Sequence, residues 1–309
     1  MNKCGFKVSI VGAGFVGATA AYAMLIKQVA NEIALIDVNR EKAEGEAMDL
    51  ADGLAIVGGG KVEYGSDYNL CRGSDVVVVT AGANQKPGQT RLDLLKTNAA
   101  IFKKIIPQIA KAAPNAVLLI VTNPVDVMTH LALKYSKFPR NRVFGSGTAL
   151  DTARLKHFLG QALSVNPCSV DAYILGEHGD SEFPMWSNAA IGEIPLKDYP
   201  RFNEKKAEAA FKQTNNAASE IISRKGATYY AIGLVVSDLV QAVLNDHCDV
   251  MPVSTHINNY YGVSGICLSV PCVVGTGGVK KQLFPKLDKK EQTAFKKSAA
   301  IIKKAIDSI

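Results

Sequence analysis

The stretch VSIVGAGFVG, residues 8–17, decides the fold of the N-terminal half of the chain. Its apolar beginning predicts a buried strand, and Gly12, Gly14 and Gly17 follow in the spacing GxGxxG, directly before the helix-forming segment ATAAYAML. Glycines at these positions let the backbone turn tightly and approach a pyrophosphate, which the free amide groups of a helix N-terminus bind. The stretch therefore predicts a dinucleotide-binding loop between a strand and a helix.

The end of the second predicted strand adds a carboxylate to this loop. The run EIALID covers residues 32–37, so Asp37 lies 20 residues after Gly17. A carboxylate at this place accepts hydrogen bonds from a ribose 2′-hydroxyl and repels a 2′-phosphate, which favours NAD over NADP. The simpler alternatives are a glycine turn that binds nothing and a helix-capping role for Asp37.

Strands and helices alternate along the first half of the chain. Apolar, β-branched runs at 7–11, 32–37, 75–80 and 116–122 alternate with helical segments at 18–29, 40–51 and 91–112. This rhythm predicts an α/β fold with a Rossmann-type, doubly wound parallel sheet.

The second half of the chain has a different pattern. It contains a predicted helix at 149–163, a strand near 170–175, a long helix with an apolar face from Ala207 to Ile221, and a C-terminal helix from Phe295 to Ile309. We therefore expect a dinucleotide-binding domain over 1–145 and a mixed α+β substrate domain over 146–309. The stretch FPRNRVFGSG at 138–147 is the best boundary between them.

Composition and charge exclude several classes of protein. The 309 residues are 48% hydrophobic, which suffices for a large core. The net charge of +7 comes from scattered lysines rather than from a basic stripe, which argues against nucleic acid but favours a small anionic substrate. We find no signal peptide, no membrane span, and no CxxC or zinc spacing among the six cysteines, so we expect a cytoplasmic protein without a metal.

A histidine lies on a glycine turn at the end of a predicted strand. Residues 176–180 read GEHGD and follow the apolar run AYIL, so His178 stands between two acids. Loops at strand ends usually carry the chemistry of α/β proteins. The alternative is a solvated turn with a stray histidine.

A second pair of charged residues opens the helix predicted at 149–163. In GTALDTAR, residues 147–154, Asp151 and Arg154 are three residues apart and project from the same helix face. Thr148 and Asp151 also have capping-box spacing, so a simple cap is the alternative for Asp151.

Three further stretches bring polar side chains to the expected seam between the domains. They are the lid-like loop AGANQKPGQTRLDLL at 81–95 with Gln85 and Arg91, VTNPVD at 121–126 with Asn123, and KGATYYAIG at 225–233 with Thr228 and the apolar Ile232. The alternatives are an exposed polar loop at 81–95, a turn asparagine at Asn123, and packing of Ile232 in the core.

Together these stretches resemble the L-lactate and malate dehydrogenase family, and its lactate-specific members most closely. The resemblance runs from GAGFVG through DTARLK and LGEHGDSE to KGATYYAIG, and so spans nearly the whole chain. It implies reversible hydride transfer between NADH and pyruvate, giving (S)-lactate. It also implies a homo-oligomer, with a tetramer favoured over a dimer.

The resemblance assigns a role to each site residue. His178 is the acid/base, Asp151 orients its ring and stabilises the imidazolium, and Arg154 holds the substrate carboxylate with two hydrogen bonds. Arg91, carried by the loop, polarises the carbonyl, and Thr228 lines the substrate pocket. The residues implied in cofactor binding are Gly12, Gly14, Gly17, Asp37, Thr80, Ala81, Gly82, Asn123 and Ile232, of which Asn123 also faces the substrate.

The choice of 2-hydroxy acid is expected to depend on Gln85. Malate enzymes of this family place an arginine there, which neutralises the second carboxylate of oxaloacetate, and a buried unpaired carboxylate is costly. Pyruvate is therefore the expected substrate, and a malate or branched 2-hydroxyacid dehydrogenase on the same scaffold is the alternative. A binding protein that keeps the fold without the chemistry is a second alternative, and the intact His178, Asp151, Arg154 and Arg91 argue against it.

Two positions depart from the relatives that fructose 1,6-bisphosphate activates. Those relatives carry an arginine two positions after Arg154 and a histidine seven before His178, where this chain has Lys156 and Asp171. Because an aspartate repels sugar phosphates, we do not expect this regulation.

Overall fold

The computed structural model describes residues 5–83 and 90–309, apart from the side chain of Arg91. The first half contains β1 (Lys7–Val11), α1 (Phe15–Ile26), β2 (Glu32–Ile36), α2 (Arg40–Asp52), α3 (Leu54–Val57), β3 (Lys61–Gly65), β4 (Val76–Val79), α4 (Arg91–Ala112), β5 (Val117–Ile120), α5 (Val125–Ser136) and β6 (Val143–Gly145). The second half contains α6 (Ala149–Leu163), β7 (Val170–Asp171), β8 (Ile174–Leu175), β9 (Phe183–Pro184), β10 (Ala190–Ile191), β11 (Ile194–Pro195), α7 (Glu204–Lys225), α8 (Tyr230–Leu244), β12 (Asp249–His256), β13 (Cys267–Gly275), β14 (Gly278–Gln282) and α9 (Lys289–Ile306).

One large sheet organises the molecule. Within the described ranges, nine strands pair in the order β14-β13-β12-β6-β5-β4-β1-β2-β3. The six strands from β6 to β3 are parallel, in the order that doubly wound dinucleotide-binding folds share. Because the order reverses between β1 and β4, helices cover both faces, and a crevice opens at the carboxyl ends of these two strands. The predicted fold class is confirmed.

The central strands are apolar along their whole length. Every residue of β4 (VVVV) and of β5 (VLLI) is buried. Parallel strands need such continuous apolar runs because helices pack on both faces of the sheet. Burial of β4 fixes one of the two strand ends at which the crevice opens.

Three antiparallel strands extend the sheet beyond the dinucleotide-binding half. β12 pairs with β6 on one side and with β13 on the other, and β13 pairs with β14. The expected boundary at 138–147 therefore contains a sheet strand, β6, and the two halves of the chain share one sheet. The position of the domain boundary stays a prediction.

The second half also has a core of its own. Leu155, Leu159 and Leu163 of α6 pack with Val170 and Ile191 in a separate buried cluster. The helix predicted at 149–163 is confirmed as α6. The single strand predicted near 170–175 is instead two short strands, because β7 pairs with β10 whereas β8 pairs with β9.

The described ranges include no helix with the length and apolarity needed to cross a membrane. Their cysteines are free thiols, namely Cys71, Cys168, Cys248, Cys267 and Cys272.

Candidate active site

A cavity of about 1280 Å³ occupies the crevice between β1 and β4. The predicted residues in its walls are Gly12, Gly14, Gly17, Asp37, Thr80, Ala81, Gly82, Asn123 and Thr228. Among the described residues predicted to bind the cofactor, Ile232 is the exception, since it is half-buried on α8 and packs against the main core. The structure thus brings the other predicted cofactor residues together around one space.

The three glycines of the loop meet different steric demands. Gly12 has a φ of +112°, and a Cβ on Gly17 would lie 1.9 Å from the carbonyl oxygen of Gly12. A Cβ on Gly14, in contrast, would meet no protein atom within 4 Å. Gly14 is also the N-cap of α1 and provides no side-chain cap, so the amide groups of the first turn are left for a ligand. This cradle fits a pyrophosphate.

Asp37 holds the edge of the cavity beside this loop. Its carboxylate accepts hydrogen bonds from the backbone N–H groups of Ala13 at 2.8 Å and Asn39 at 2.9 Å. The N-cap of α2 is Asn39, which accepts a hydrogen bond from the Lys42 amide. Asp37 is therefore not the helix cap, and its fixed carboxylate suits a ribose hydroxyl.

Hydrogen bonds connect the ends of three strands below the cavity. The hydroxyl of Thr80 donates to the carbonyl of Gly12 at 2.8 Å. The side chain of Asn98, which is buried on α4, accepts from the Ala83 amide at 2.8 Å and donates to the Asn123 carbonyl at 2.9 Å. Asn98 was missed in the sequence because it lies within a predicted amphipathic helix, where a polar residue normally faces solvent.

His178 and Asp151 form a close polar contact in the second half of the chain. Nδ1 of His178 lies 2.5 Å from Oδ2 of Asp151, and Nη1 of Arg154 donates to Oδ1 of the same carboxylate at 3.1 Å. The Asp151 side chain is only 4% exposed, whereas that of His178 is 26% exposed. Because Nδ1 faces the carboxylate, the proton on Nε2 is the one that a substrate can reach.

The capping alternative for Asp151 does not hold. Thr148 precedes α6 without a side-chain cap, and its hydroxyl donates instead to the carbonyl of Ile174 at 2.5 Å. This hydrogen bond ties the start of α6 to β8, the strand that leads into the turn of His178. The carboxylate of Asp151 is thereby left for the imidazole.

Charge and burial set the protonation of this pair. The negative charge of Asp151, acting against the cost of burial, raises the pKa of His178 to about 9. Burial opposes ionisation of Asp151, but the charge of His178 and the hydrogen bond between them lower the pKa of this carboxyl overall. The pair is therefore an imidazolium beside a carboxylate at neutral pH, which is a proton donor ready for a ketone oxygen.

Asp126 is a functional residue that was missed in the sequence. Its carboxylate is buried at the start of α5, where it accepts hydrogen bonds from the backbone N–H of His178 at 2.8 Å and from the Ser254 hydroxyl at 2.6 Å. Burial raises the pKa of Asp126 to about 6. The sequence signal for Asp126 is that it is a lone acid within the apolar run at 125–128.

Glu182 is the second residue that was missed. It is 8% exposed, and the side chains of Glu182, His178 and Asp151 each offer an atom within 4.8 Å of the others. A cation held by all three would have to compete with the hydrogen bond between His178 and Asp151, so we assign the group to proton chemistry. The sequence signal for Glu182 is its position at the end of LGEHGDSE, directly before the apolar residues of β9.

The remaining predicted positions are less informative. Gln85 and the side chain of Arg91 lie outside the described residues, so their predicted roles stay predictions. Lys156 lies with Nζ 5.7 Å from the ring centre of Tyr173, and Asp171 is exposed on β7.

The strand order, the glycine cradle and the buried imidazole–carboxylate pair define an NAD-dependent oxidoreductase. Residues 6–145 match the family described as lactate/malate dehydrogenase, NAD binding domain, and residues 148–309 match the lactate/malate dehydrogenase alpha/beta C-terminal domain. The chain belongs to the lactate/malate dehydrogenase family. The resemblance seen in the sequence motifs and the prediction of NAD are confirmed.

Individual relatives agree with this assignment over almost the whole chain. An L-lactate dehydrogenase of Clostridium botulinum is 47% identical over 307 residues, which are 98% of this chain and 96% of the relative. One of Kosmotoga olearia is 46% identical over 310 residues, with the same coverage. Among solved structures, the minor L-lactate dehydrogenase of Enterococcus mundtii in the ligands-bound form has a TM-score of 0.96 at 43% identity and covers 98% of both chains. MGS-M5, a lactate dehydrogenase from a deep-sea metagenome library, has a TM-score of 0.95 at 41% identity, again with 98% of both chains covered.

Proposed function

We propose that the protein is an NAD-dependent L-lactate dehydrogenase that interconverts pyruvate and (S)-lactate. The observation that carries the proposal is the 2.5 Å contact between His178 and Asp151, with Arg154 bonded to the same carboxylate. This arrangement combines a proton donor with a cation that can hold a carboxylate, and a 2-keto acid presents both a ketone and a carboxylate.

The proton donor is connected to the cofactor cavity by a short path. Asn123 lines the cavity, α5 begins two residues later, and Asp126 within its first turn holds the backbone of His178. His178 does not itself line the cavity, but this link to Asn123 supports an imidazole near the crevice, where ligands of doubly wound folds bind.

The chain's own groups account for the proton and the charge in the reaction. Bound NADH supplies a hydride to the carbonyl carbon. His178 donates its Nε2 proton to the ketone oxygen, and Asp151 stabilises the ring in both protonation states. Arg154 donates one Nη1 hydrogen bond to Asp151, which leaves its other N–H groups for the substrate carboxylate in this proposal. In the reverse direction, neutral His178 accepts the hydroxyl proton of lactate.

Two residues of the stretch 81–95 supply substrate selection in this proposal. Arg91 stabilises the developing oxyanion, and Gln85 faces the methyl group of pyruvate. A neutral residue at Gln85 leaves the second carboxylate of oxaloacetate without a charge partner, which disfavours that substrate strongly.

We also propose that the enzyme is a cytoplasmic homo-oligomer, with a tetramer favoured over a dimer. Membership of the family supports the oligomer, and the free cysteines support a reducing compartment. Lys156 and Asp171 support the absence of activation by fructose 1,6-bisphosphate.

Steady-state kinetics with a panel of 2-keto acids test the proposal. We expect the highest kcat/KM for pyruvate with NADH, a much lower value for oxaloacetate, and weak activity with NADPH. A preference for oxaloacetate or for a branched 2-keto acid would replace lactate dehydrogenase by one of the alternatives on the same scaffold.

A further inference from the structure

We infer that Glu182 is a positioning residue of the proton-transfer site: its protonated carboxyl donates a hydrogen bond to Asp151, and its ionised carboxylate keeps His178 protonated in alkaline solution. The inference rests on the proposed function, since it concerns the same proton donor. It adds to the imidazole–carboxylate pair a third group that acts through Asp151 rather than on the substrate.

The geometry of the turn places Glu182 against this pair. The side chains of Glu182, Asp151 and His178 each offer an atom within 4.8 Å of the other two, and Glu182 is hydrogen bonded to Asp151. Two carboxyl groups can share a hydrogen bond only when one of them carries a proton. Glu182 is therefore the donor and Asp151, which already faces the imidazole, is the acceptor.

The backbone keeps Glu182 in this position. Its amide donates to the carbonyl of Gly179 at 3.1 Å, which closes the turn, and the next residue, Phe183, is 6% exposed. The ring of Phe183 contacts Phe295 of α9 edge-on, with ring centres 6.5 Å apart. These two contacts fix the end of the turn. Glu182 is buried there, with only 8% of its surface exposed.

The charges around the group agree with a protonated Glu182. Asp151 and Arg154 of α6 and His178 of the turn act on Glu182 directly. Asp126 of α5 acts on His178, and Glu177 acts on Asp126. Burial, followed by the charge of Asp151, raises the pKa of Glu182 to about 9, although His178 and Arg154 act in the opposite direction. Asp151 accordingly keeps its charge at neutral pH while Glu182 keeps its proton.

The consequence appears as the pH rises. When Glu182 loses its proton, a second negative charge develops beside the imidazolium and stabilises it, which opposes the loss of the His178 proton. A neutral residue at this position cannot supply that charge. The alkaline limit of pyruvate reduction thus depends on a residue that does not touch the substrate.

The first test compares Glu182→Gln with the wild type and with Glu208→Gln, a matched change at an exposed position of α7. We expect the midpoint of the alkaline fall in kcat/KM for pyruvate to move down by about one pH unit in Glu182→Gln, as for the loss of one nearby charge. The midpoint in Glu208→Gln should not move. An unshifted or raised midpoint in Glu182→Gln overturns the inference.

A second variant separates positioning from packing. Glu182→Ala removes the donor and should lower kcat/KM at pH 7 about tenfold, the effect of losing one hydrogen bond of about 1.4 kcal/mol. Glu182→Gln, whose amide can still donate, should recover most of that loss. Equal losses in both variants would overturn the donor role.

A readout without turnover distinguishes this inference from the proposed function. In protein labelled with ¹³C-histidine, the signal of His178, assigned by its loss in His178→Asn, reports the pKa of this imidazole. A lower pKa in Glu182→Gln supports the inference, and an unchanged pKa overturns it. If the wild type shows the expected titration but does not reduce pyruvate, the proposed function fails and the contact between Glu182 and Asp151 stands.

Discussion

The imidazole of His178 and the carboxylate of Asp151 meet at 2.5 Å, with the carboxylate almost completely buried. A charge-assisted hydrogen bond away from water is strong and directional, so the ring has one orientation and one tautomer. Arg154 bonds to the same carboxylate from the same helix. One buried acid therefore positions both the proton donor and the cation for the substrate.

The first prediction concerns the charge of Asp151. Because this charge is the largest cause of the raised pKa of His178, Asp151→Asn should return that pKa toward its ordinary value of 6.5. The imidazolium then persists only to lower pH, so pyruvate reduction at pH 7 should fall at least about fourfold from the smaller protonated fraction alone, and its alkaline limb should move to lower pH. A pH profile of kcat/KM measures both effects, with Asp198→Asn at an exposed position as control. A profile that keeps the wild-type midpoint would contradict the role of Asp151.

The second prediction separates two glycines of the cofactor loop. A methyl group on Gly14 points into open space within the cavity, whereas one on Gly17 collides with the Gly12 carbonyl at 1.9 Å. Gly14→Ala should keep the wild-type Tm but weaken NADH binding about tenfold, or about 1.4 kcal/mol. Gly17→Ala should lower the Tm.

Gly45 provides the control for these glycine variants. It lies exposed within α2, and a Cβ there meets no atom within 4 Å, so Gly45→Ala should be neutral or slightly stabilising. Thermal melts and NADH fluorescence titrations measure the three variants. Tight NADH binding by Gly14→Ala would show that the pyrophosphate does not lie over this loop.

The third prediction concerns recognition of the substrate carboxylate. Arg154→Lys keeps a positive charge but loses the planar pair of donors. We expect KM for pyruvate to rise about 10- to 100-fold, the loss of one charge-assisted hydrogen bond, with a smaller effect on NADH binding. Arg224→Lys, at an exposed ion pair on α7, is the matched control. Unaltered KM values in Arg154→Lys would assign the carboxylate to another residue.

The fourth prediction concerns the choice between 2-keto acids. Gln85→Arg should raise kcat/KM for oxaloacetate and lower it for pyruvate, because the new cation pairs with the second carboxylate. Gln108→Arg, an added charge on the exposed face of α4, should leave the ratio unchanged. If the ratio stays constant in Gln85→Arg, this residue is not the selector.

The four inner strands of the parallel half were predictable because they are largely apolar runs, whereas its two outer strands, β3 (KVEYG) and β6 (VFG), were not predicted. β1, β2, β4 and β5 fall within the predicted stretches, and α4 has the predicted bounds. The last turn predicted for α1 does not form, since Gln28 has a φ of +51° and the helix ends at Ile26. A single side chain that tolerates this conformation is difficult to recognise in a sequence.

The antiparallel extension was not predictable for a physical reason. β12 and β13 each contain a proline, Pro252 and Pro271, which lie opposite each other in the sheet. Proline cannot donate a ladder hydrogen bond, so a sequence with an internal proline does not favour a strand. These two segments are recognised as strands only in the structure, where β12 pairs with β6 and with β13.

Most motifs of the site were visible in the sequence, but their contacts were not. His178 and Asp151 are 27 residues apart, and His178 and Asp126 are 52 residues apart. Asp126 and Glu182 acquire their roles from burial beside other charges, which depends on how α5, α6 and the turn pack together. From the sequence alone, Asp126 and Glu182 cannot be distinguished from acids on the protein surface.

The most direct test of the central claim is the rate of pyruvate reduction by His178→Asn. Asparagine keeps a polar side chain at the turn but cannot exchange a proton at neutral pH. With NADH binding unchanged by fluorescence titration, we predict a loss of kcat/KM of about 100-fold or more. A variant that reduces pyruvate at the wild-type rate would contradict proton transfer by His178.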